Sequence, residues 1–396
     1  MKRNLSTILT KSMIAATLVI TSCSSDDDNT SNTTNLFVSN YATIAATNYD
    51  DAYTTAATMQ TAIEDFITSP SAATLTEAQD AWLYARDFYG QTEAFREANG
   101  PIDNESLLAT EGQINAWPLD EGYIDYVSDG TTKVQNGLIG DDTFELTEEN
   151  LINNNETPND DSISVGWHAI EFLLWGQDLN ANGIFTDGGN RDYTDYTTEE
   201  NATRRKEYLQ IVTNLLVNDL KDLRDTWADG GSYRTTFETM DTETALTNIL
   251  NGIGFISNGE VALERLDAAI DEDQENEHSC FSDNTNQDMW ANVHGINNVI
   301  EGTYTAKNGT IVSGTSLIEL VAKSNSEIST NLEEKADITI EKLDALLALN
   351  KNFDEIISEE TLGSNGPAGQ LSSALKTQGT AIAEASTALG ISISIN

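Results

Sequence analysis

Apolar residues recur at three- and four-residue steps along most of the chain, which is the spacing of helices that bury one face. The clearest helix begins at the capping-box pattern of Thr74 and Glu77 and is predicted to end near Ala98, before Gly100-Pro101. Its buried face is predicted to carry Leu75, Ala78, Trp82, Ala85, Tyr89 and Arg96. No alternation of apolar and polar residues repeats at strand length, so a sheet-based fold is not expected.

The same spacing predicts further helices of varied length. They cover residues 36–67, 104–114, 165–176, 198–227, 242–270, 288–304, 316–349 and 371–389. Residues 115–162 look irregular, and a loop that long tends to be functional or mobile. Gly252, Gly254 and Gly259 interrupt one predicted helix and indicate the close approach of another backbone. Long helices with short connections favour antiparallel bundles.

The composition supports a helical core and excludes two classes of protein. The chain has 396 residues, of which 39% are hydrophobic and only five are proline. Cys280 is the one cysteine besides Cys23, so a disulfide framework is excluded and Cys280 is expected to be a small buried side chain. The net charge is -45. Such a surface excludes nucleic-acid partners, because their phosphates must be neutralised by Lys and Arg.

Residues 1–22 are predicted to be a signal peptide that takes no part in the fold. Three basic residues accompany the short apolar run 13–20, which is too short to span a bilayer. Ile20-Thr21-Ser22-Cys23 resembles the lipobox of bacterial lipoproteins, so Cys23 is the predicted lipidation site. An ordinary cleaved signal with a chance cysteine is the alternative.

Residues 23–35 are predicted to be a flexible acidic tether. Their run Ser24-Ser25-Asp26-Asp27-Asp28 resembles the export signal of surface lipoproteins, and its composition also suits a solvated spacer. The expected location is therefore the outer membrane, with a lipid anchor and with exposure at the cell surface as one orientation. No later stretch approaches the length of an apolar transmembrane helix.

The stretch from Gly166 to Gly176 (GWHAIEFLLWG) carries the most informative chemistry. On a helix, His168 and Glu171 share a face, so that an imidazole nitrogen and a carboxylate oxygen could bind one metal ion. A plain hydrogen-bonded pair is the alternative. The two zinc-protease patterns H-E-x-x-H and H-x-x-E-H both fail, the second because Phe172 follows the glutamate.

Gly166-x-His168-x-x-Glu171 resembles the GxHxxE signature of the imelysin family. Three further segments are similar to that family in the same order: residues 82–96 (WLYARDFYGQTEAFR), residues 115–126 (NAWPLDEGYIDY) and residues 279–286 (SCFSDNTN). Asn286 departs from the pattern, because the family is expected to have His there. The resemblance covers roughly residues 40 to 390. The family is also catalogued as insulin-cleaving metallopeptidases and as iron-regulated proteins.

The resemblance implies an all-α, two-lobed fold of tandem helical bundles with a cleft between them. Residues 36–230 are the predicted N-terminal lobe, which carries the GxHxxE segment, and residues 231–396 are the predicted C-terminal lobe. It also implies a link to iron acquisition. Iron or another divalent metal is the expected cofactor or cargo, an iron-containing ligand is the alternative, and iron-uptake proteins are the expected partners.

Three acidic residues in the family-like segments are candidates to complete a metal site with His168 and Glu171. They are Glu93, Asp120 and Asp283, and iron accepts carboxylate and imidazole ligands together. Each has a structural alternative. Glu93 could pair with Arg86 or Arg96, Asp120 could fix a turn, and Asp283 could cap the helix that follows it.

A second pattern, Asp178-Leu-Asn180-Ala-Asn182-Gly183, matches the opening of a calcium loop. The twelfth position of such a loop needs Glu, and it is Gly189 here, so a polar turn is the alternative.

Three functions are therefore open. The first is a metal-binding lipoprotein of iron acquisition, the second is a metallopeptidase that uses His168 and Glu171, and the third is a scaffolding lipoprotein without metal.

Overall fold

The computed structural model describes residues 25–129, 131–179, 188–271, 277–363 and 365–395. Helices dominate these segments, which confirms the all-α prediction. The helices are α1 (Ser25–Thr68), α2 (Ala72–Thr92), α3 (Glu111–Ile114), α4 (Glu121–Ile124), α5 (Gly137–Gly140), α6 (Glu148–Asn154), α7 (Gly166–Trp175), α8 (Ala202–Trp227), α9 (Ser232–Glu238), α10 (Thr242–Phe255), α11 (Ala268–Asp271), α12 (Thr285–Glu301), α13 (Leu317–Ser324), α14 (Ser326–Leu347), α15 (Phe353–Ile357) and α16 (Pro367–Ala388).

The described strands form two short antiparallel pairs. Strand β1 (Val127–Ser128) pairs with β2 (Lys133–Val134), and β3 (Thr303–Thr305) pairs with β4 (Ile311–Ser313), with Tyr304 opposite Val312. A π-helical segment, Ile256–Asp267, joins α10 to α11. Short 3-10 turns cover Glu93–Phe95, Tyr193–Tyr196 and Cys280–Ser282.

Several helix boundaries differ from the sequence prediction. The first helix begins at Ser25, inside the predicted tether, and Thr33 and Thr34 on it are already buried. The predicted helix 104–114 is reduced to α3. The predicted helix 316–349 is divided at Asn325, whose side chain accepts hydrogen bonds from the backbone of Glu327 and Ile328 and so caps a new helix.

Helices of the N-terminal half pack around α1, which lies against both α2 and α8, while α7 fits between α2 and α8. In the C-terminal half, α16 packs along α14, α10 and the π-helical segment. The two groups meet where α2 crosses α12. A Cβ at Gly295 would lie 2.4 Å from the carbonyl oxygen of Gln91, and a Cβ at Gly90 would lie 2.6 Å from Cβ of Ala291. Glycine at both positions therefore lets the helices approach closely.

The glycines of the interrupted helix also face close neighbours. A Cβ at Gly252 would lie 2.6 Å from the carbonyl oxygen of Arg96. The sequence predicted that another backbone lies close to these glycines. At Gly252 this backbone is the chain directly after the 3-10 turn that follows α2. Among the described segments, no helix is both long enough and apolar enough to cross a membrane.

Candidate functional site

Helix α7 begins at a glycine for a steric reason. Gly166 has φ of +90°, and a Cβ there would lie 2.5 Å from the carbonyl oxygen of Ile114. Only glycine adopts this backbone without strain. All ten residues of α7 are buried, so the helix is fixed at its start and enclosed along its length. The first glycine of GxHxxE thus sets where His168 and Glu171 project.

Replacing Gly166 by alanine is expected to lower the free energy of unfolding by about 3 kcal/mol or more. The positive φ costs roughly 1–2 kcal/mol, and the steric overlap with Ile114 adds a similar amount. Gly309→Ala is the matched control, because Gly309 has φ of +81° and open space around it. Urea unfolding of both variants measures the difference. Equal losses would contradict a steric role for Gly166.

His168 and Glu171 form a buried hydrogen-bonded pair on α7. Nδ1 of His168 lies 2.8 Å from Oε2 of Glu171, and both side chains are fully enclosed. The other oxygen of Glu171 accepts hydrogen bonds from the backbone N–H and the hydroxyl of Ser282, at 2.9 and 2.7 Å. Glu171 therefore holds the Nδ1 side of the imidazole and leaves Nε2 directed away from α7.

A second histidine–carboxylate pair faces the first. Nε2 of His278 lies 3.1 Å from Nε2 of His168, and Nδ1 of His278 lies 2.6 Å from Oδ2 of Asp288. Ser279 donates a hydrogen bond of 2.6 Å to the same oxygen of Asp288. The two imidazoles thus meet through their Nε2 atoms, and each has a carboxylate behind it.

Asp288 is held by a buried arginine. Arg86 on α2 contacts both carboxylate oxygens of Asp288, at 3.3 and 2.8 Å, and its Nη1 donates to Asn115 at 2.6 Å. Side chains of Arg86 and Asp288 are each 1% exposed. Against the effect of burial, Arg86 and then His278 hold the pKa of Asp288 far below its ordinary value. This carboxylate is therefore ionised.

Burial disfavours positive charge on the two imidazoles. Burial and then the neighbouring His278 lower the pKa of His168 well below its ordinary value. Burial also lowers the pKa of His278 to about 4, although Asp288 opposes the shift. Glu171 shifts the other way, because its burial raises its pKa to about 8 despite hydrogen bonds from Ser282. At neutral pH both imidazoles are neutral, and Glu171 holds a proton.

Trp117 covers the two imidazoles, and a cavity opens beside it. Its ring centroid lies 4.7 Å from that of His168 and 6.2 Å from that of His278. The cavity measures about 350 Å³, and its wall includes His278 and Trp117. It lies between the chain that follows α2 and the π-helical segment, which is the cleft between the two groups of helices. The charged residues on its wall are Arg96, Glu111, Glu156, Glu260, Glu264 and Arg265.

The cavity wall carries a buried network of opposite charges. Arg265 contacts Glu93 and Glu260, each at 2.7 Å, and Arg96 contacts the same two carboxylates at 3.0 and 3.1 Å. The π-helical backbone brings Glu260 and Arg265, five residues apart, onto one face. Although burial opposes it, Arg265 and Arg96 lower the pKa of Glu260 to about 2.

The three acidic candidates lie in separate surroundings. Glu93 belongs to the charged network of the cavity, pairs with Arg96 and reaches Asn115 at 3.4 Å. Asp120 is exposed and accepts a hydrogen bond of 2.9 Å from the N–H of Gly122 at the start of α4. Asp283 accepts a hydrogen bond of 2.8 Å from Asn352. Each of the three thus has its own set of partners, and their role as ligands of a metal at His168 and Glu171 stays a prediction.

Sequence reasoning did not place His278, Asp288 or Arg86 in the site. A signal for His278 was available, because it directly precedes the SCFSDNTN segment and is one of three histidines. That segment supplies Ser279 and Ser282, which hold the two carboxylates. Cys280, between them, is buried as expected. Positions 180–187 of the candidate calcium loop lie outside the described residues.

Known proteins share sequence and fold with this chain. Residues 45–383 match the family model described as Imelysin. Iron-regulated protein A of Synechococcus elongatus is 25% identical over 257 residues, or 62% of this chain, and the chain spans only 57% of that protein's length.

Two solved structures share the fold. An iron-regulated protein A precursor from Parabacteroides distasonis has a TM-score of 0.66 at 20% identity, with 90% of this chain and 95% of that chain covered. An imelysin-like protein from Psychrobacter arcticum has a TM-score of 0.60 at 15% identity, with 92% and 97% covered. Because the family model matches most of the sequence, this chain belongs to the imelysin family.

Proposed function

We propose that the protein binds one metal ion, with iron as the first candidate, between Nε2 of His168 and Nε2 of His278. The observation that supports this most is the pair of facing imidazoles, each with a carboxylate on its Nδ1 side. Such carboxylate–histidine pairs fix the tautomer and make Nε2 a better metal ligand. The names of the two iron-regulated relatives favour iron.

The donor set fits a metal ion on distance. Metal–imidazole bonds of about 2.1 Å, at bond angles of roughly 90–110°, place two ligand nitrogens roughly 3.0–3.4 Å apart. The two Nε2 atoms lie 3.1 Å apart. Imidazole nitrogen binds iron, zinc and copper alike, so the residues define a site for a transition metal. The cavity beside His278 provides the entry path and room for a chelating ligand.

Glu171 and Asp288 act as orienting residues in this proposal. If both carboxylates accept hydrogen bonds from Nδ1–H groups, both Nε2 atoms keep a lone pair free for a metal ion. An ion bound by both nitrogens would then replace the proton that they share without metal. The sequence-based proposal, in which Glu171 itself binds the ion, stays open as a variant of the same site.

Metal binding is expected to release about one proton per ion below pH 8. Without metal, Glu171 is protonated below its pKa of about 8. Metal at Nε2 of His168 would displace the Nε2 proton, which is released. The proton of Glu171 would move to Nδ1, and the Glu171 carboxylate would accept a hydrogen bond from that Nδ1–H. Metal affinity should therefore rise about tenfold per pH unit up to pH 8 and then level off. Glu171→Gln, which has no proton to release, should flatten the profile, and an unchanged slope would contradict this role.

Iron titration with elemental analysis tests the proposal. Wild-type mature protein should bind about one iron per chain, and His168→Ala/Glu171→Ala should bind none while it keeps its helical circular-dichroism signal. Absence of iron in the wild type under several loading conditions, with other transition metals tried in turn, would refute the metal site.

The metallopeptidase and the scaffold are tested by other readouts. A peptidase would cleave unfolded substrates in a chelator-sensitive way that His168→Ala removes. A scaffold would bind no metal and would lose folding stability in Glu171→Ala.

A lipid anchor at Cys23 is part of the proposed function, with the outer membrane as the location. Cys23→Ala is expected to move the protein from the membrane fraction to the soluble fraction and to remove labelling by radioactive palmitate, because the acyl chains supply the membrane affinity. Fractionation of cells that express each form is the measurement. Cys280→Ala is the control, and membrane association retained by Cys23→Ala would contradict the anchor.

A further inference from the structure

Four carboxylates from three distant parts of the chain converge next to the histidine pair. Asp178 follows α7, Glu277 and Asp283 flank the 3-10 turn Cys280–Ser282, and Asp354 lies on α15. One oxygen of each lies within 4.8 Å of the corresponding oxygen of the other three. Three of the four residues are buried, and Asp283 is half-buried. Such a concentration of buried negative charge is unfavourable without a counter-charge.

Glu277 has no positively charged partner among the described residues. Its residue is 1% exposed, and neither carboxylate oxygen receives a hydrogen bond from any described residue. The nearby Thr285 hydroxyl donates to the carbonyl of His278 instead. The closest charged neighbours of Glu277 are the other three acids of the cluster. A buried carboxylate of this kind is normally paired or bound to a metal.

The surrounding backbone holds the acids in place from independent directions. Asp283 has φ of +56° at the end of the 3-10 turn, and Asn352 donates to its carboxylate at 2.8 Å. The N–H of Glu355 donates to Asp354 at 2.6 Å. Asn286 reaches the carbonyl of Lys351 at 2.8 Å and ties the chain after Asp283 to the chain before α15. Two of the four carboxylates, Asp283 and Asp354, are thus held by groups that lie outside the cluster.

We propose that Asp178, Glu277, Asp283 and Asp354 bind one calcium ion, separate from the transition metal of the histidine pair. All four offer hard oxygen ligands, which suit calcium, whereas zinc and copper prefer nitrogen or sulfur. Magnesium usually takes only one or two carboxylates and keeps its waters, so four converging carboxylates favour calcium.

The sequence supports calcium independently. Asp178 opens the pattern D-x-N-x-N-G, with which calcium loops begin, and the glutamate that such a loop needs at its twelfth position is missing. Glu277, Asp283 and Asp354 supply carboxylates from elsewhere in the fold. The site therefore joins the segment after α7 to the segments that precede α12 and α16. Calcium is expected to stabilise this junction, because it binds the folded state only.

Calorimetric titration with calcium chloride, after treatment with EDTA, tests the proposal on the mature protein. Wild type should bind one calcium per chain, and calcium should raise its melting temperature. Glu277→Gln and Asp354→Asn should each weaken calcium binding at least about tenfold. Without calcium, both variants should melt at or above the wild-type temperature, since each removes one buried negative charge.

Two controls separate this site from the general surface and from the histidine pair. Glu355→Gln removes an adjacent, partly exposed charge on the same helix and should leave calcium binding unchanged. His168→Ala/Glu171→Ala should lose iron and keep calcium, whereas Asp354→Asn should lose calcium and keep iron.

The proposal is overturned if the wild type shows neither heat of binding nor a shift in melting temperature at millimolar calcium. Equal binding by wild type and both cluster variants also overturns it, because the ion then binds elsewhere.

Discussion

His278→Ala is expected to abolish metal binding as fully as His168→Ala does. Each variant removes one of the two nitrogen ligands, so the affinity for iron should fall more than about a hundredfold. Glu171→Gln should have a smaller effect, a loss of about 10- to 100-fold, since it removes a residue that orients a ligand. Equilibrium titration of the three variants with iron gives the order of the effects.

His294→Ala is the matched control for these variants. It is the third histidine of the chain and lies on α12 against Trp290, with ring centroids 4.6 Å apart. It should bind iron like the wild type. The opposite order of effects, with His278→Ala unchanged and Glu171→Gln as damaging as His168→Ala, would favour the His168–Glu171 ligand pair predicted from the sequence.

Arg86→Leu is expected to destabilise the protein by about 3–5 kcal/mol. The substitution leaves the buried carboxylate of Asp288 without its arginine, and an uncompensated buried charge carries a penalty of this size. The variant also loses the hydrogen bond to Asn115 and the guanidinium contacts with the rings of Trp82 and Trp167, at 5.5 and 5.6 Å. Urea unfolding followed by circular dichroism measures the loss.

Two comparisons test the reason for this loss. Arg224→Leu removes a partly exposed arginine that pairs with Asp225, so it should cost less than about 1 kcal/mol. Arg86→Leu/Asp288→Asn should recover part of the stability, because the buried charge has been removed as well. A loss below about 1 kcal/mol for Arg86→Leu would show that Asp288 is not held as an ion by Arg86.

The long helices could be predicted because their signal is local. The buried face of α2 carries Leu75, Trp82 and Tyr89 at helical spacing, as expected from the sequence. The division at Asn325 was missed because the apolar spacing continues across it. Its capping role depends on a backbone conformation that spacing does not reveal. The π-helical segment was also missed, since nothing in the apolar spacing marks its extra residue per turn.

The candidate site could be predicted only in part, because some of its contacts are local and others join distant parts of the chain. His168 and Glu171 are three residues apart, so helix geometry alone brings them together. His278 is 110 residues from His168, and their contact depends on how the two groups of helices meet. Glu93 and Asp283 were expected at one metal site. The structure places Glu93 in the arginine network and Asp283 in the acidic cluster, and neither placement follows from local sequence.

X-ray absorption spectroscopy of the iron-loaded protein measures the number of imidazoles on the metal. The facing Nε2 atoms of His168 and His278 predict two imidazole ligands at about 2.1 Å in the wild type. The variants His168→Ala and His278→Ala should each show one imidazole ligand when iron is supplied in excess. A spectrum with one imidazole in the wild type, unchanged in His278→Ala, would contradict the two-histidine site.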